Sequence, residues 1–245
     1  MSIIPNKWHS SWDNFLTEDV LKLLKEIESK IGNNYVPEEK NVLRFLQRDL
    51  SQIKCVWLGQ DPYYTMYDNG KYVANGAAFW PNDLYNWSQP FSQKSLQNII
   101  RLIHKNYNNI TNYSDIKQYK EIKKEIENKQ FNILQPQEWF ASLENQGVLL
   151  LNIYLTTIQG KGNQHQKIWE PFSKLLINYI SSYNENIYWF LWGAEAKSKK
   201  DQIKNGIIYE SNHPTFCSSK YENDFLKNEC FRDTMKIINW RGEWK

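Results

Sequence analysis

The chain is short of cysteine, of long apolar runs and of charge of one sign, and each shortage narrows what it can be. Its 245 residues include three cysteines, Cys55, Cys217 and Cys230. That odd, scattered set contains no CxxC pair, which argues against a disulfide framework and against a zinc site. No apolar run approaches the length needed to span a membrane. The start, Met1-Ser2-Ile3-Ile4-Pro5-Asn6-Lys7, lacks a basic-then-apolar signal region. A reduced, soluble, cytoplasmic protein is the expectation. The formal net charge of +3 is far from that of a histone-like binder and permits only a local positive face. Aromatics are plentiful instead, at 15% of residues with 11 Trp, which reads first as core packing. There is no internal repeat, and the length suits one α/β domain spanning 1–245, expected to be a monomer.

Apolar spacing predicts helices over 12–31, 37–50, 92–106, 136–145, 167–182 and 194–203. Short apolar strands are predicted at 53–58, 148–152, 187–193 and 207–210. Residues 62–76 read as a loop with Asn69-Gly70 and Asn75-Gly76 turns. Residues 77–80 read as a short strand or extended segment, and 107–130 as a surface excursion of loop and solvated helix. The fold class is therefore α/β: a central four-stranded, mostly parallel sheet with helices on both faces.

Each predicted strand stops at a polar or breaker group: Gln60-Asp61, Asn152, Gly193 and Ser211-Asn212-His213-Pro214. In a parallel sheet these groups share one edge, the edge where open α/β sheets bind ligands. A carboxylate, an amide and an imidazole would converge there, and Phe79, after the Gly76 turn, can add an aromatic wall. Such a set suits recognition of a planar heterocycle. It suits a nucleophilic triad poorly, because no serine sits on a strand-to-helix elbow.

Gly59-Gln60-Asp61-Pro62-Tyr63-Tyr64 resembles the Gly-Gln-Asp-Pro-Tyr-His signature of the family 1 uracil-DNA glycosylases, with Tyr64 in the histidine place. Further segments follow in the family's order: Asn75 to Phe79, Ser95-Leu96-Gln97-Asn98-Ile99, Gly147 to Asn152, Leu191-Trp192-Gly193 and His213-Pro214-Thr215. The resemblance implies a uracil-DNA glycosylase that leaves an abasic site, needs no metal or organic cofactor and acts on uracil-containing DNA, single- or double-stranded. It implies Asp61 and His213 as catalytic residues, with Asp61 acting on water and the cationic sugar and His213 donating to uracil O2. Gln60, Tyr63, Phe79 and Asn152 would bind uracil: Gln60 through its backbone N–H, Tyr63 by excluding a 5-methyl group, Phe79 by stacking and Asn152 by reading O4 and N3–H. Ser95 and Thr215 would contact phosphate, and Phe216 or Cys217 would fill the space that the base leaves. Lys94, Lys161, Lys197 and Lys220 are candidates for attraction of the DNA backbone. A proteinaceous inhibitor of the DNA groove is a further partner class left open.

The chain departs from the family pattern in places. Tyr64 is not a neutral-pH base, the loop between Asp61 and Phe79 is long, and Thr215-Phe216-Cys217 replaces Ser-Pro-Leu. These departures leave two alternatives: a catalytically weakened DNA-binding or scaffold homologue, and a glycosylase for another damaged base. They also predict altered duplex handling, with a relative preference for single strands.

Overall fold

A computed structural model describes residues 2–242. Its centre is a sheet of four strands in the order β2-β1-β3-β4, all parallel. The strands are β1 (Cys55–Gly59), β2 (Val148–Asn152), β3 (Tyr188–Trp192) and β4 (Ile207–Ser211). The helices are α1 (Glu18–Ile31), α2 (Glu39–Val42), α3 (Lys94–Tyr107), α4 (Tyr119–Glu127), α5 (Pro136–Asn145), α6 (Gln166–Tyr183), α7 (Ala194–Lys197) and α8 (Cys230–Thr234).

Strand alternation divides the core into two layers. Val56, Leu58, Leu149, Leu151, Trp189 and Leu191 face α1 and α6. Cys55, Trp57, Val148, Leu150, Phe190 and Trp192 face α3, α5 and α8. The second layer absorbs much of the aromatic excess. Trp57 stacks on Trp240 at 5.6 Å and lies 5.2 Å from Trp192 and 6.2 Å from Trp139. All four indoles are buried. Rings at these separations add roughly 0.5–1.5 kcal/mol per pair beyond the area they bury, which makes the floor beneath the strand ends stiff.

Three predicted helices are shorter than their apolar spacing suggests. The helix expected over 12–31 begins only at Glu18, where Thr17 caps it, after a 3-10 turn at Ser10–Trp12. Residues 37–50 form α2, then 3-10 turns at Arg44–Gln47 and Leu50–Gln52. Long-range contacts bind this segment down: the Arg44 guanidinium donates to Glu144 at 3.0 Å, and Gly76 packs so closely on the Asn41 carbonyl that a Cβ there would lie 2.0 Å from its oxygen. Residues 194–203 likewise give only α7 and a 3-10 turn at Lys200–Gln202. The extended segment expected at 77–80 is a turn. The Ala78 N–H donates to the Leu150 carbonyl at 3.1 Å, and Phe79 takes φ 61°, which ends any extension. Between Tyr107 and Gln130 the structure has a loop followed by α4, as its composition suggested.

Candidate active site

Register places the site. Gly59, the last residue of β1, is level with Asn152, the last of β2, and pairing continues past the strands as Tyr154 N–H donates to the Gln60 carbonyl at 2.9 Å. β3 and β4 end alongside at Trp192 and Ser211. A cavity of ~450 Å3 opens over this edge, lined by Gln60, Asp61, Tyr63, Phe79, Asn152 and His213 among others. Ser95 and Thr215 lie at its wall.

Asn152 is 3% exposed, and its side-chain amide has no hydrogen-bond partner among the described residues. The residue is buried, but its amide nitrogen and oxygen are not sealed off, because they open onto the cavity. Gly59 makes room for the amide: a Cβ on Gly59 would stand 2.6 Å from Asn152 Oδ1.

Asp61 sits where the chain leaves β1. Its Oδ2 accepts the Asn163 N–H at 2.7 Å, and the Gln60 side chain donates to Asn163 Oδ1 at 2.7 Å. Burial raises the Asp61 carboxyl above its ordinary value. The Asn163 hydrogen bond opposes that shift, and the nearby charge of Glu195 adds to it. The Tyr64 ring lies against the same loop, with Gly162 leaving it just enough space. Tyr64 is 44% exposed.

His213 has its tautomer set by the backbone. Thr215 N–H donates to His213 Nδ1 at 3.2 Å, so the ring carries its proton on Nε2 when neutral. Burial lowers its pKa and keeps it neutral at ordinary pH. Gly193, at φ +97°, passes so close that a Cβ would meet the His213 Cβ at 3.0 Å. Asn98 donates to the Pro214 carbonyl and accepts from Arg101 at 2.9 Å. The three-residue spacing of Ser95 and Asn98 puts both on one face of α3, with Ser95 at the cavity and Asn98 holding the histidine loop.

Phe79 is braced by Trp192 at 5.7 Å and Trp57 at 6.3 Å. The Tyr63 hydroxyl donates to the Phe79 carbonyl at 3.4 Å and shares a hydrogen bond with Ser95; burial raises its pKa, so it stays protonated. These two rings form adjoining walls.

The segment 215–217 divides. Phe216 is 70% exposed. Cys217 turns inward, packs on the second core layer and donates its thiol to the Pro214 carbonyl at 3.5 Å; burial pushes that thiol up to about 12. Of the two wedge candidates Phe216 projects, whereas Cys217 is half-buried against the core. Of the four candidate lysines, Lys94 lines the cavity, Lys161 and Lys220 are exposed and Lys197 is half-buried. His165 is tied to Thr156 at 2.9 Å, a structural contact. Among the described residues no group of three or more His, Cys, Asp or Glu could hold a metal ion.

A model of the Uracil DNA glycosylase superfamily matches residues 46–237. The chain belongs to the uracil-DNA glycosylase superfamily. The uracil-DNA glycosylase of Streptococcus gordonii is 31% identical over 254 residues, covering 95% of this chain and 98% of that one. That of Borrelia turicatae is 30% identical over 244 residues, covering 95% and 94%. The fold is that of solved glycosylases. The enzyme of Nitratifractor salsuginis superposes with TM-score 0.72 at 20% identity, over 97% of this chain and 94% of that one. A mimivirus enzyme crystallised in complex with UGI superposes with TM-score 0.69 at 20% identity, over 95% and 88%.

Gly59 and Asn98 lie inside the family motifs but carry no role in them by sequence alone, and Asn163 lies outside every motif. Gly59 was in plain view as a glycine ending a buried strand. Asn163 carried no local signal, because it acts through its backbone across 102 residues of chain.

Proposed function

We propose that the protein is a monofunctional uracil-DNA glycosylase of base excision repair. The observation that carries this reading is the Asn152 amide, without a hydrogen-bond partner among the described residues and facing a cavity with aromatic walls, with an acid and a neutral imidazole beside it. The amide both donates and accepts, so it pairs with uracil O4 and N3–H and is mismatched to cytosine, whose pattern is reversed. Phe79 stacks on the extruded base, and Tyr63 leaves no space for a 5-methyl group in a close-packed wall.

Hydrolysis breaks the bond between C1′ and N1. As it breaks, negative charge moves onto the base and collects partly on O2. The His213 Nε2–H donates to that oxygen, stabilising charge that exists only as the bond parts. A cationic sugar is left behind. The Asp61 carboxylate, held by Asn163, faces that cation and orients the water whose oxygen bonds to C1′; the water proton leaves to the carboxylate or solvent. Getting the base out of the stack is the other cost, and Phe216 is placed to occupy the vacated space in a duplex. Ser95 and Thr215 contact flanking phosphates, with Lys94 supplying charge.

The same proposal takes the chain as a single-domain cytoplasmic monomer. It also admits a protein ligand on the DNA-facing groove, which the mimivirus enzyme's complex with UGI motivates. The test is excision from a labelled single-stranded uracil oligonucleotide followed by alkaline cleavage, with thymine, cytosine and inosine strands alongside. Excision of uracil alone, largely lost in Asp61→Asn, is the expected result. DNA binding without excision from any strand would replace this reading with that of a scaffold.

A further inference from the structure

A second cavity of ~570 Å3 adjoins the first. Met66, Tyr67 and Val73, from the long loop after β1, form one side; Pro90 and Phe91, from the segment leading into α3, form the other. Thr65, Ser92 and Gln93 line both cavities, so the two make one continuous groove. The volume lies within the range of about 300–1,000 Å3 usual for small-molecule sites.

The loop is built to hold this shape. Tyr67 N–H donates to the Lys71 carbonyl at 2.9 Å, and Val73 N–H to the Thr65 carbonyl at 3.1 Å. The Tyr67 hydroxyl donates to the Asn82 carbonyl at 2.6 Å, which fixes its ring. Opposite, Phe91 is held edge-on by Tyr119 at 5.3 Å. At the junction, the side chains of Thr65, Ser92 and Gln93 make no hydrogen bond among the described residues. Gln93 stands at the N-terminus of α3 without capping it. Lys94, next along, is exposed.

We propose that this second cavity is a subsite for the nucleobase adjacent to the uracil on the same strand, so that the enzyme grips two neighbouring unpaired bases. The proposal rests on the uracil-DNA glycosylase reading and gives a role to the long 65–72 loop. One chain of DNA must run continuously from one cavity to the next. The junction supplies what its linking sugar and phosphate need, hydroxyl and amide donors with a lysine beside them. The cavity beyond supplies what a base needs, two aromatic rings, a thioether and aliphatic carbon. Every base has a π-face, so stacking there is tolerant of sequence. In a duplex, filling the subsite costs the unpairing and unstacking of a second base, a cost absent in single strands, which makes the subsite a device that favours single strands.

The experiment is steady-state excision from single-stranded oligonucleotides in which the 5′ or the 3′ neighbour of uracil is a normal base or a tetrahydrofuran spacer with no base. For one of the two sides, the spacer should raise KM ~10-fold, the scale that one stacked base contributes, with kcat little changed. In Phe91→Leu and Tyr67→Leu, which keep apolar bulk but lose the flat face, the ratio of spacer to base KM should fall towards one. Circular dichroism confirms that each variant is folded. A wild-type KM indifferent to the spacer on both sides overturns the subsite, as does a spacer penalty that survives in both variants. Absence of uracil excision from every strand overturns the glycosylase reading itself, a result that the wild-type enzyme on all-base strands identifies separately.

Discussion

Replacing Gly59 by alanine should disable uracil recognition without touching a residue that contacts the base. Gly59 is not in the left-handed backbone region, so alanine is conformationally acceptable there. The obstacle is space. The new methyl would lie 2.6 Å from Asn152 Oδ1 and 2.9 Å from Ala78 Cβ, against an ordinary contact of at least 3.4 Å. The amide must therefore retreat by roughly 0.8 Å, the difference between those distances. A misplacement of about 1 Å can cost ~100-fold in rate, and overpacking costs about 1–3 kcal/mol of stability. We expect kcat/KM on single-stranded uracil DNA to fall ~100-fold in Gly59→Ala, with a modest drop in unfolding midpoint. A double-mutant cycle with Asn152→Ala isolates the cause. Once Asn152 is truncated, the Gly59→Ala penalty on kcat/KM should largely vanish. If Gly59→Ala keeps full activity, or if the two losses simply multiply, the claim that Gly59 exists to seat the Asn152 amide is wrong.

Other consequences are measurable. Because burial raises the Asp61 carboxyl, its contribution to stability is complete below the unfolded pKa and is lost as pH rises through the folded one. Asp61→Asn should consequently melt higher than wild type at about pH 7, yet match it at about pH 3, where both side chains are neutral. The acid limb of the wild-type pH–kcat/KM profile should fall above the ordinary aspartate value of about 3.9. His213→Leu removes the Nε2–H donor and should lower kcat by roughly 100- to 1,000-fold, with KM much less affected. Phe216→Ala should slow excision from duplex DNA more than from single strands; equal loss on both substrates would remove the wedge role.

The sheet was legible because its information is local. Short apolar runs at 53–58, 148–152, 187–193 and 207–210 each end at a breaker; the first three are buried as parallel strands covered on both faces require, and the fourth forms the more exposed edge of the sheet. Order along the chain then implied the edge at which Asp61, Asn152 and His213 would meet. Reading failed where long-range contacts decide local shape. The 37–50 helix breaks up under the grip of Arg44 on Glu144. Phe79 departs from extension at φ 61°, in a turn that seats its ring against Trp57 and Trp192 from remote parts of the chain. Phe216 and Cys217 are adjacent and similar in apolar character, yet one is exposed and the other packs inward; nothing in their neighbours' identities separates them.

By itself the amino-acid sequence determined the fold class, the superfamily and the chemical types gathered at the strand ends, since periodicity and motif spacing are properties of consecutive residues. The tertiary structure alone decided how those groups are tuned. The Asn163 backbone reaches Asp61, Thr215 sets the His213 tautomer, Gly59 clears space for Asn152, and the 65–72 loop closes a second cavity against Phe91. Each of these depends on where a remote or irregular backbone passes in three dimensions, and loop backbone follows the packing of the whole core rather than the propensity of its own residues.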